Sequence, residues 1–225
     1  MITRRKSQHR VREVASVVGK LQAGVRALGQ PVRVCTRALY RDIDKAPTWD
    51  WRIRLSEESV EELRFWQENL LGLNSSPLRQ SSAAVRVDIK MAGDASAAGV
   101  FLGDFTEGNT LLSLPFNKEQ MEKSSTWREL FVLYTFYCSK EAEMYREKVV
   151  LHLCDNAAVS AIIDKGSKKK ELAEMAWKIF LACRELKIVL ICNWESCEAE
   201  IMVTADLGSR GPWICLLYTS PSPRD

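Results

Sequence analysis

The sequence predicts an α/β fold, a mixed five-stranded sheet with helices on its faces, preceded by a helical N-terminal segment. Three observations carry this. The hydrophobic period changes near residue 80 from the 3.6 of helices to the 2 of strands. Three short strand patterns then follow one another as a meander, and two continuous apolar runs further on, 149–154 and 188–192, have the composition of buried strands and are separated by helical patterns.

Before residue 80 the spacing predicts helices over 11–28, closed by Gly29, Gln30 and Pro31, then over 32–43, then from Ser56 onward with Glu57 and Glu58 in the first turn. In the last of these Val60, Leu63, Trp66 and Leu70 form one apolar stripe, and Ser59 with Glu62 has capping-box spacing. Asn74, Ser75, Ser76 and Pro77 read as a linker. Val85, Val87, Ile89 and Met91 alternate with Arg86, Asp88 and Lys90 as a half-buried strand. Strands over 98–103 and 110–116 follow, with Glu107, Gly108 and Asn109 as their hairpin turn. A long helix over 125–143, the strand 149–154, a short helix to Asp164, a helix over 171–186, the strand 188–192 and a terminal helix over 200–208 complete the order βββαβααβα.

The chain has 225 residues, of which 46% are apolar, enough for an ordinary core. That excludes disorder as the main state. A net charge of +3, from 32 basic and 29 acidic residues, excludes a polybasic coat, so partners must be read from local motifs. Seven scattered cysteines and no opening signal peptide predict a reducing, intracellular location, in the cytoplasm or nucleus. No apolar run approaches the roughly 20 residues that span a bilayer. Cys192 and Cys197, the one close pair in sequence, lack a second Cys/His pair, so neither zinc nor membrane is expected.

Four acids fall on four different elements: Asp94 after the first strand, Glu129 early in the long helix, Asp155 at the carboxyl end of the fourth strand and Asp206 in the last helix. Packed together, like charges of this kind require hard divalent cations to neutralise them. Two such cations suit phosphodiester hydrolysis. Each acid also suits a structural role: a Gly-Asp turn for Asp94, a capping box from Thr126 for Glu129, an N-cap at Asp155, and a solvated helix face for Asp206. Asp88 is a rival for the first carboxylate, but it alternates onto the polar strand face.

Asp94-Ala95-Ser96 with Gly99, the run from Ser124 to Leu130, Asp155-Asn156-Ala157-Ala158, and Ala205-Asp206 with Ser209-Arg210 resemble the type 1 ribonuclease H domain of DIRS-type and related retrotransposon reverse transcriptases. The resemblance covers about residues 84–210. The stretch 11–73 is similar to the part of those polyproteins between polymerase palm and ribonuclease H. The resemblance implies a ribonuclease H-like fold over 81–210, a reverse-transcriptase remnant over 1–80 and polymerase domains upstream in the same polyprotein. It implies an endonuclease that cleaves the RNA strand of RNA·DNA hybrids with two Mg²⁺ or Mn²⁺ ions. Asp94 would bridge both ions, Asp206 would help hold the one that activates water, and Glu129 and Asp155 would hold the other.

Beside the acids, Ser125, Thr126 and Asn156 are candidates to contact sugars and phosphates, with helix capping as the equal alternative. The Lys168, Lys169 and Lys170 run stands where type 1 enzymes can carry a basic substrate-binding element, with a solvated charge run as the even alternative, and Arg4, Arg5, Lys6, Arg10 and Arg12 form a second basic cluster open to the same two readings. The chain departs from the family in two places. His9 and His152 do not lie in the loop before the last helix where many type 1 enzymes have a histidine, and Met202 stands where relatives often have Asn. A non-catalytic nucleic-acid-binding remnant with the same fold is the alternative reading. Residues 211–225 lack periodicity, resemble translated adapter sequence and are excluded from the fold.

Overall fold

The structure, a computed structural model, describes residues 8–74 and 86–211. Residues 4–6, the linker residues 75–77, Val85 and the tail beyond Gly211 lie outside the described residues. The chain forms two compact units, and Asp164–Trp177 belongs with the N-terminal unit. Among the described residues no helix is long and apolar enough to cross a membrane.

The N-terminal unit begins with a short strand, β1 (Gln8–Arg10), and a helix, α1 (Val11–Ala23). The helix expected over 11–28 breaks at Gly24, whose N–H closes on the carbonyls of Lys20 and Leu21, and resumes as α2 (Val25–Leu28). Gly29, at φ 73°, turns the chain into α3 (Gln30–Val34). The expected helix over 32–43 likewise splits, because Cys35 and Thr36 separate α3 from α4 (Arg37–Asp44). A strand the sequence did not reveal, β2 (Arg52–Arg54), pairs antiparallel with β1, and α5 (Glu57–Asn74) completes the unit. Val11, Val14 and Val18 of α1 pack against Leu39, Ile53 and Leu63.

Two corrections concern α5. Leu70 is 39% exposed and leaves the apolar stripe that Val60, Leu63 and Trp66 bury. The cap is Ser56, whose hydroxyl accepts the Ser59 N–H at 3.3 Å, while Ser59 Oγ donates to Asp42 at 2.7 Å. Glu62 instead accepts the N–H groups of Ala38 and Leu39 at 2.8 and 3.0 Å, at the start of α4.

The second unit is a five-stranded mixed sheet in the order β5-β4-β3-β6-β7. Strands β3 (Ile89–Ala95), β4 (Gly99–Asp104) and β5 (Asn109–Pro115) form the antiparallel meander. A one-turn helix, α6 (Lys118–Met121), leads to α7 (Ser125–Tyr137), which ends earlier than expected and is followed by a 3₁₀ turn at Lys140–Tyr145. Then come β6 (Val149–Cys154), α8 (Ala157–Lys165), α9 (Lys170–Glu185), β7 (Val189–Trp194) and α10 (Glu200–Ser209). Strands β6 and β7 join β3 in parallel. This is the α/β architecture that the sequence predicts.

The first strand runs further than its alternation suggested. Val87 is exposed, and pairing with β4 carries β3 through Asp94 to Ala95. Asp88 precedes the strand, and its carboxylate accepts the Val149 N–H at 2.8 Å, a structural tie. On one sheet face Ala92, Phe101 and Leu153 pack against Met202 and Ala205 of α10. On the other, a Cβ at Gly93 would stand 3.1 Å from both Val132 of α7 and the His152 ring. His152 is fully buried without a hydrogen-bond partner on either nitrogen, and burial pushes its pKa down to about 4, so the ring is neutral. It is a core residue.

Two outcomes follow from this packing. A Cβ at Gly208 would overlap the Phe101 ring. In an open helix Gly→Ala is worth up to about 1 kcal/mol in favour of the variant. Overpacking costs about 1–3 kcal/mol, so Gly208→Ala should destabilise the protein on balance. Chemical denaturation checks the sign. Glu62 is pushed by burial up to about 7, against the bonds from Ala38 and Leu39. Its folded value lies above the ordinary 4.5, so the stability it lends is full below about pH 4.5 and is lost as pH rises through 7, about 3 kcal/mol in all. Glu62→Gln should flatten stability against pH over that window relative to the parent.

Candidate active site

The register between β3 and β6 sets the level of the first two acids. Ala92 pairs with Leu153 across a parallel ladder, so Asp94 and Asp155, each two residues further on, stand level at the carboxyl ends of neighbouring strands. Such strands lie about 4.8 Å apart. The two-residue period also puts both on the face that α10 covers, with Ala92 and Leu153. Asp94 is buried, and Asp155 is exposed. Asp94 is not in a turn, as its structural alternative required, but sits within β3 opposite Phe101.

Glu129 comes from α7, whose N-cap is Ser124, accepting the Trp127 N–H at 3.3 Å. Neither Ser125 nor Thr126 is that cap, so the capping-box alternative for Glu129 falls. The Glu129 carboxylate is buried. Its Oε1 accepts the Asn156 amide at 3.0 Å, while Oε2 has no hydrogen-bond partner. Burial first, then repulsion from Asp155 and Asp94, pushes its pKa up to about 7 against the Asn156 bond.

Asn156 is more than a neighbour of the acids. Its Oδ1 accepts the Ala158 N–H at 3.0 Å, capping α8, and its Nδ2 bonds Glu129 and reaches Thr126 Oγ1 at 3.4 Å. The cap that the sequence placed on Asp155 is therefore made by Asn156. The Asp155 carboxylate has no capping role.

Asp206 comes from α10, seated by the burial of Met202 and Ala205. Its carboxylate is held by Arg210, four residues on, with Nε 3.0 Å from both oxygens and an Nη 2.7 Å from Oδ1. Ser209 lies beside Asp94, but its hydroxyl donates to the Asp206 carbonyl at 2.9 Å, and its own carbonyl accepts Ser96 Oγ at 2.7 Å. Burial raises the Asp94 pKa, as do the charges of Asp155 and Asp206, opposed by the nearby Ser209 hydroxyl.

Asp94 thus stands in electrostatic reach of Glu129, Asp155 and Asp206. The sequence signal for Arg210 is the i,i+4 spacing from Asp206. A further pair appears only in space: Cys154 Sγ lies 3.8 Å from Cys192 Sγ, directly beneath Asp155 in sequence. Of the lysine run, Lys168 and Lys169 are exposed, while Lys170 pairs with Glu58 at 2.6 Å, and all three belong to the N-terminal unit.

The acids offer only oxygen donors, the kind that hard divalent cations take. The unpaired, buried Oε2 of Glu129 is an acceptor without a donor, and its neighbours Asp94 and Asp155 are acidic. Among the described residues, no three His, Cys, Asp or Glu side chains are drawn together in metal-holding geometry, and Asp206 is occupied by Arg210.

No family model matches this chain, and no curated protein matches it. Among solved structures it is similar to LC11-RNase H1, isolated from compost by a metagenomic approach, at 19% identity and a TM-score of 0.42, over 53% of this chain and 89% of that one. It is similar also to a foamy viral protease-reverse transcriptase in complex with RNA/DNA hybrid, at 13% identity and a TM-score of 0.38, over 100% of this chain and 28% of that one. The native prototype foamy virus enzyme gives 14% identity and a TM-score of 0.38, over 84% and 25%. The chain spans about a quarter of the length of these viral proteins.

Removing one charge from the acidic group should stabilise the protein without metal. Asp94→Asn should raise the melting temperature in EDTA, because it relieves repulsion with Glu129, Asp155 and Asp206. Mg²⁺ at ten times its Kd should stabilise the parent by about 1.4 kcal/mol, roughly 3–5 °C, and the variant by less. Scanning fluorimetry with and without Mg²⁺ reads both shifts.

Proposed function

We propose that the second unit is a ribonuclease H that hydrolyses the RNA strand of an RNA·DNA hybrid, as part of a retrotransposon reverse transcriptase polyprotein with polymerase domains upstream. The observation that carries this is the level placement of Asp94 and Asp155 on adjacent parallel strands, beside the unpartnered Oε2 of Glu129. The residues proposed to hold Mg²⁺ or Mn²⁺ are Asp94, Glu129, Asp155 and Asp206, the last after leaving Arg210. When bound, two such ions activate a water and stabilise the leaving oxygen.

The chain's own work is positioning. Asn156 holds Glu129 by one oxygen and leaves the other without a donor. Ser96 ties the end of β3 to the Ser209 carbonyl of α10, and Met202 with Ala205 fix the helix that carries Asp206. Ser125 and Thr126, free of the capping duty, remain the proposed sugar and phosphate contacts at the start of α7. Contacts of this type read shape and charge, so cleavage is expected to depend weakly on sequence.

A second reading, a non-catalytic nucleic-acid-binding remnant, is favoured by one observation, the bidentate hold of Arg210 on Asp206. Cleavage of a labelled hybrid by the full chain separates the two. The nuclease reading expects RNA-strand cleavage with Mg²⁺ or Mn²⁺, none in EDTA or with Ca²⁺, and loss to background in Asp94→Asn. Asn156→Ala should cost about 10–100-fold, as loss of a group that orients a metal ligand does. Binding of the hybrid without cleavage in any metal would establish the remnant.

A further inference from the structure

The β1–β2 ribbon places like charges face to face. Arg10 lies directly opposite Arg52, and Gln8 opposite Arg54, on its exposed face, while His9 and Ile53 alternate to the other. Directly opposed like charges destabilise a ladder. Four arginines, Arg10, Arg12, Arg52 and Arg54, meet only two acids in the segments 8–13 and 49–54, Glu13 and Asp50. Asp50 pairs with Arg12 at 3.2 Å, and Glu13 accepts the Arg10 backbone N–H at 3.2 Å. That local excess of +2 stands against +3 for the whole chain.

Two tryptophans adjoin this face. Trp49 and Trp51 are 59% and 54% exposed, the large apolar cost of leaving two indoles in water. Their backbone is nonetheless fixed. The Val11 N–H bonds Trp51 O at 3.0 Å, the Arg12 N–H bonds Trp49 O at 3.3 Å, and Trp51 N closes a turn on Thr48 O at 3.2 Å. The indoles therefore project from an anchored turn at the amino end of α1.

We propose that this ribbon and turn bind single-stranded nucleic acid, with Trp49 and Trp51 stacking on bases and Arg10, Arg52 and Arg54 meeting phosphates. Flat aromatic groups next to arginines suit this ligand, since every base has a face to stack and every nucleotide a charge. A phosphate beside Arg10 and Arg52 also supplies the anion that their pairing lacks. An anionic lipid surface is the lesser fit, because the turn offers no exposed aliphatic side chain beyond the two indoles. The surface lies in the N-terminal unit and does not rest on the nuclease reading.

The test is fluorescence anisotropy of the full chain with a labelled oligo-dT in EDTA, where hydrolysis plays no part, so cleavage can fail while this surface stands. Replacing Trp49 and Trp51 together by alanine should weaken binding about 5- to 150-fold for each lost stacked base, and replacing both by phenylalanine should restore most of it. Arg52→Glu with Arg54→Glu should weaken binding and lower the salt slope by about 0.7 for each lost phosphate contact. Matching circular dichroism melts confirm that the variants fold. Unchanged oligo-dT affinity in the alanine and glutamate variants overturns the proposal. Capture by phosphatidylserine vesicles without oligo-dT binding overturns it as well, assigning the surface to lipid.

Discussion

The parallel pairing of β3 with β6 is the constraint on which the candidate site depends. It sets Ala92 beside Leu153 and so brings Asp94 and Asp155 level. A slip of one residue would turn every side chain of the strand to the other face, sending Ala92 and Asp94 toward α7 and Met91 and Gly93 toward α10. What forbids the slip is packing. Met202 and Ala205 need the small Ala92 and the apolar Leu153 beneath them, and α7 needs the absent side chain of Gly93 beside Val132 and His152.

Buried carboxylates elsewhere in the molecule show how the protein treats an acid that it means to keep quiet. Asp42 accepts from Ser56, Ser59 and Lys45, and although burial raises its pKa these bonds bring it below the ordinary value. Asp104 accepts the N–H groups of Thr106 and Glu107 on one oxygen and the Tyr145 hydroxyl on the other. Glu62 has a backbone donor for each oxygen. Glu129 alone of these four has an oxygen with no donor, and its neighbours are acids. That difference in treatment separates a structural carboxylate from one available to a ligand.

Much of the second unit was legible because its strongest signals are apolar runs and caps. The run Val149–Cys154 is β6 residue for residue, and β7 and α10 fall within two residues of expectation. The frame of β3 was not legible: both faces are covered from Met91 to Ala95, so alternation disappears just where the strand carries its acid. Helix splits at Gly24 and at Cys35-Thr36 escaped a reading by period, and three-residue strands such as β1 and β2 have too few positions to show one. Within the site the four acids were visible as a pattern. Which Ser, Thr or Asn caps a helix was not, since Ser124, Ser125 and Thr126 are chemically alike and only the backbone selects Ser124. Ser209 and the Cys154–Cys192 approach depend on contacts between distant segments, which no local spacing encodes.

The strand order has a consequence for how the molecule is assembled in time. The meander β3-β4-β5 joins neighbours in sequence through short turns, whereas β6 reaches β3 only after the chain has passed through β4, β5 and α7. Parallel pairing of this kind closes a long loop before any contact repays the lost chain entropy, and it is slow for that reason. Asp94 and Asp155 face each other across this long-range seam. The acids of the site therefore lie on both sides of its longest-range strand pairing, so their mutual repulsion falls on that contact and not on the local antiparallel turns.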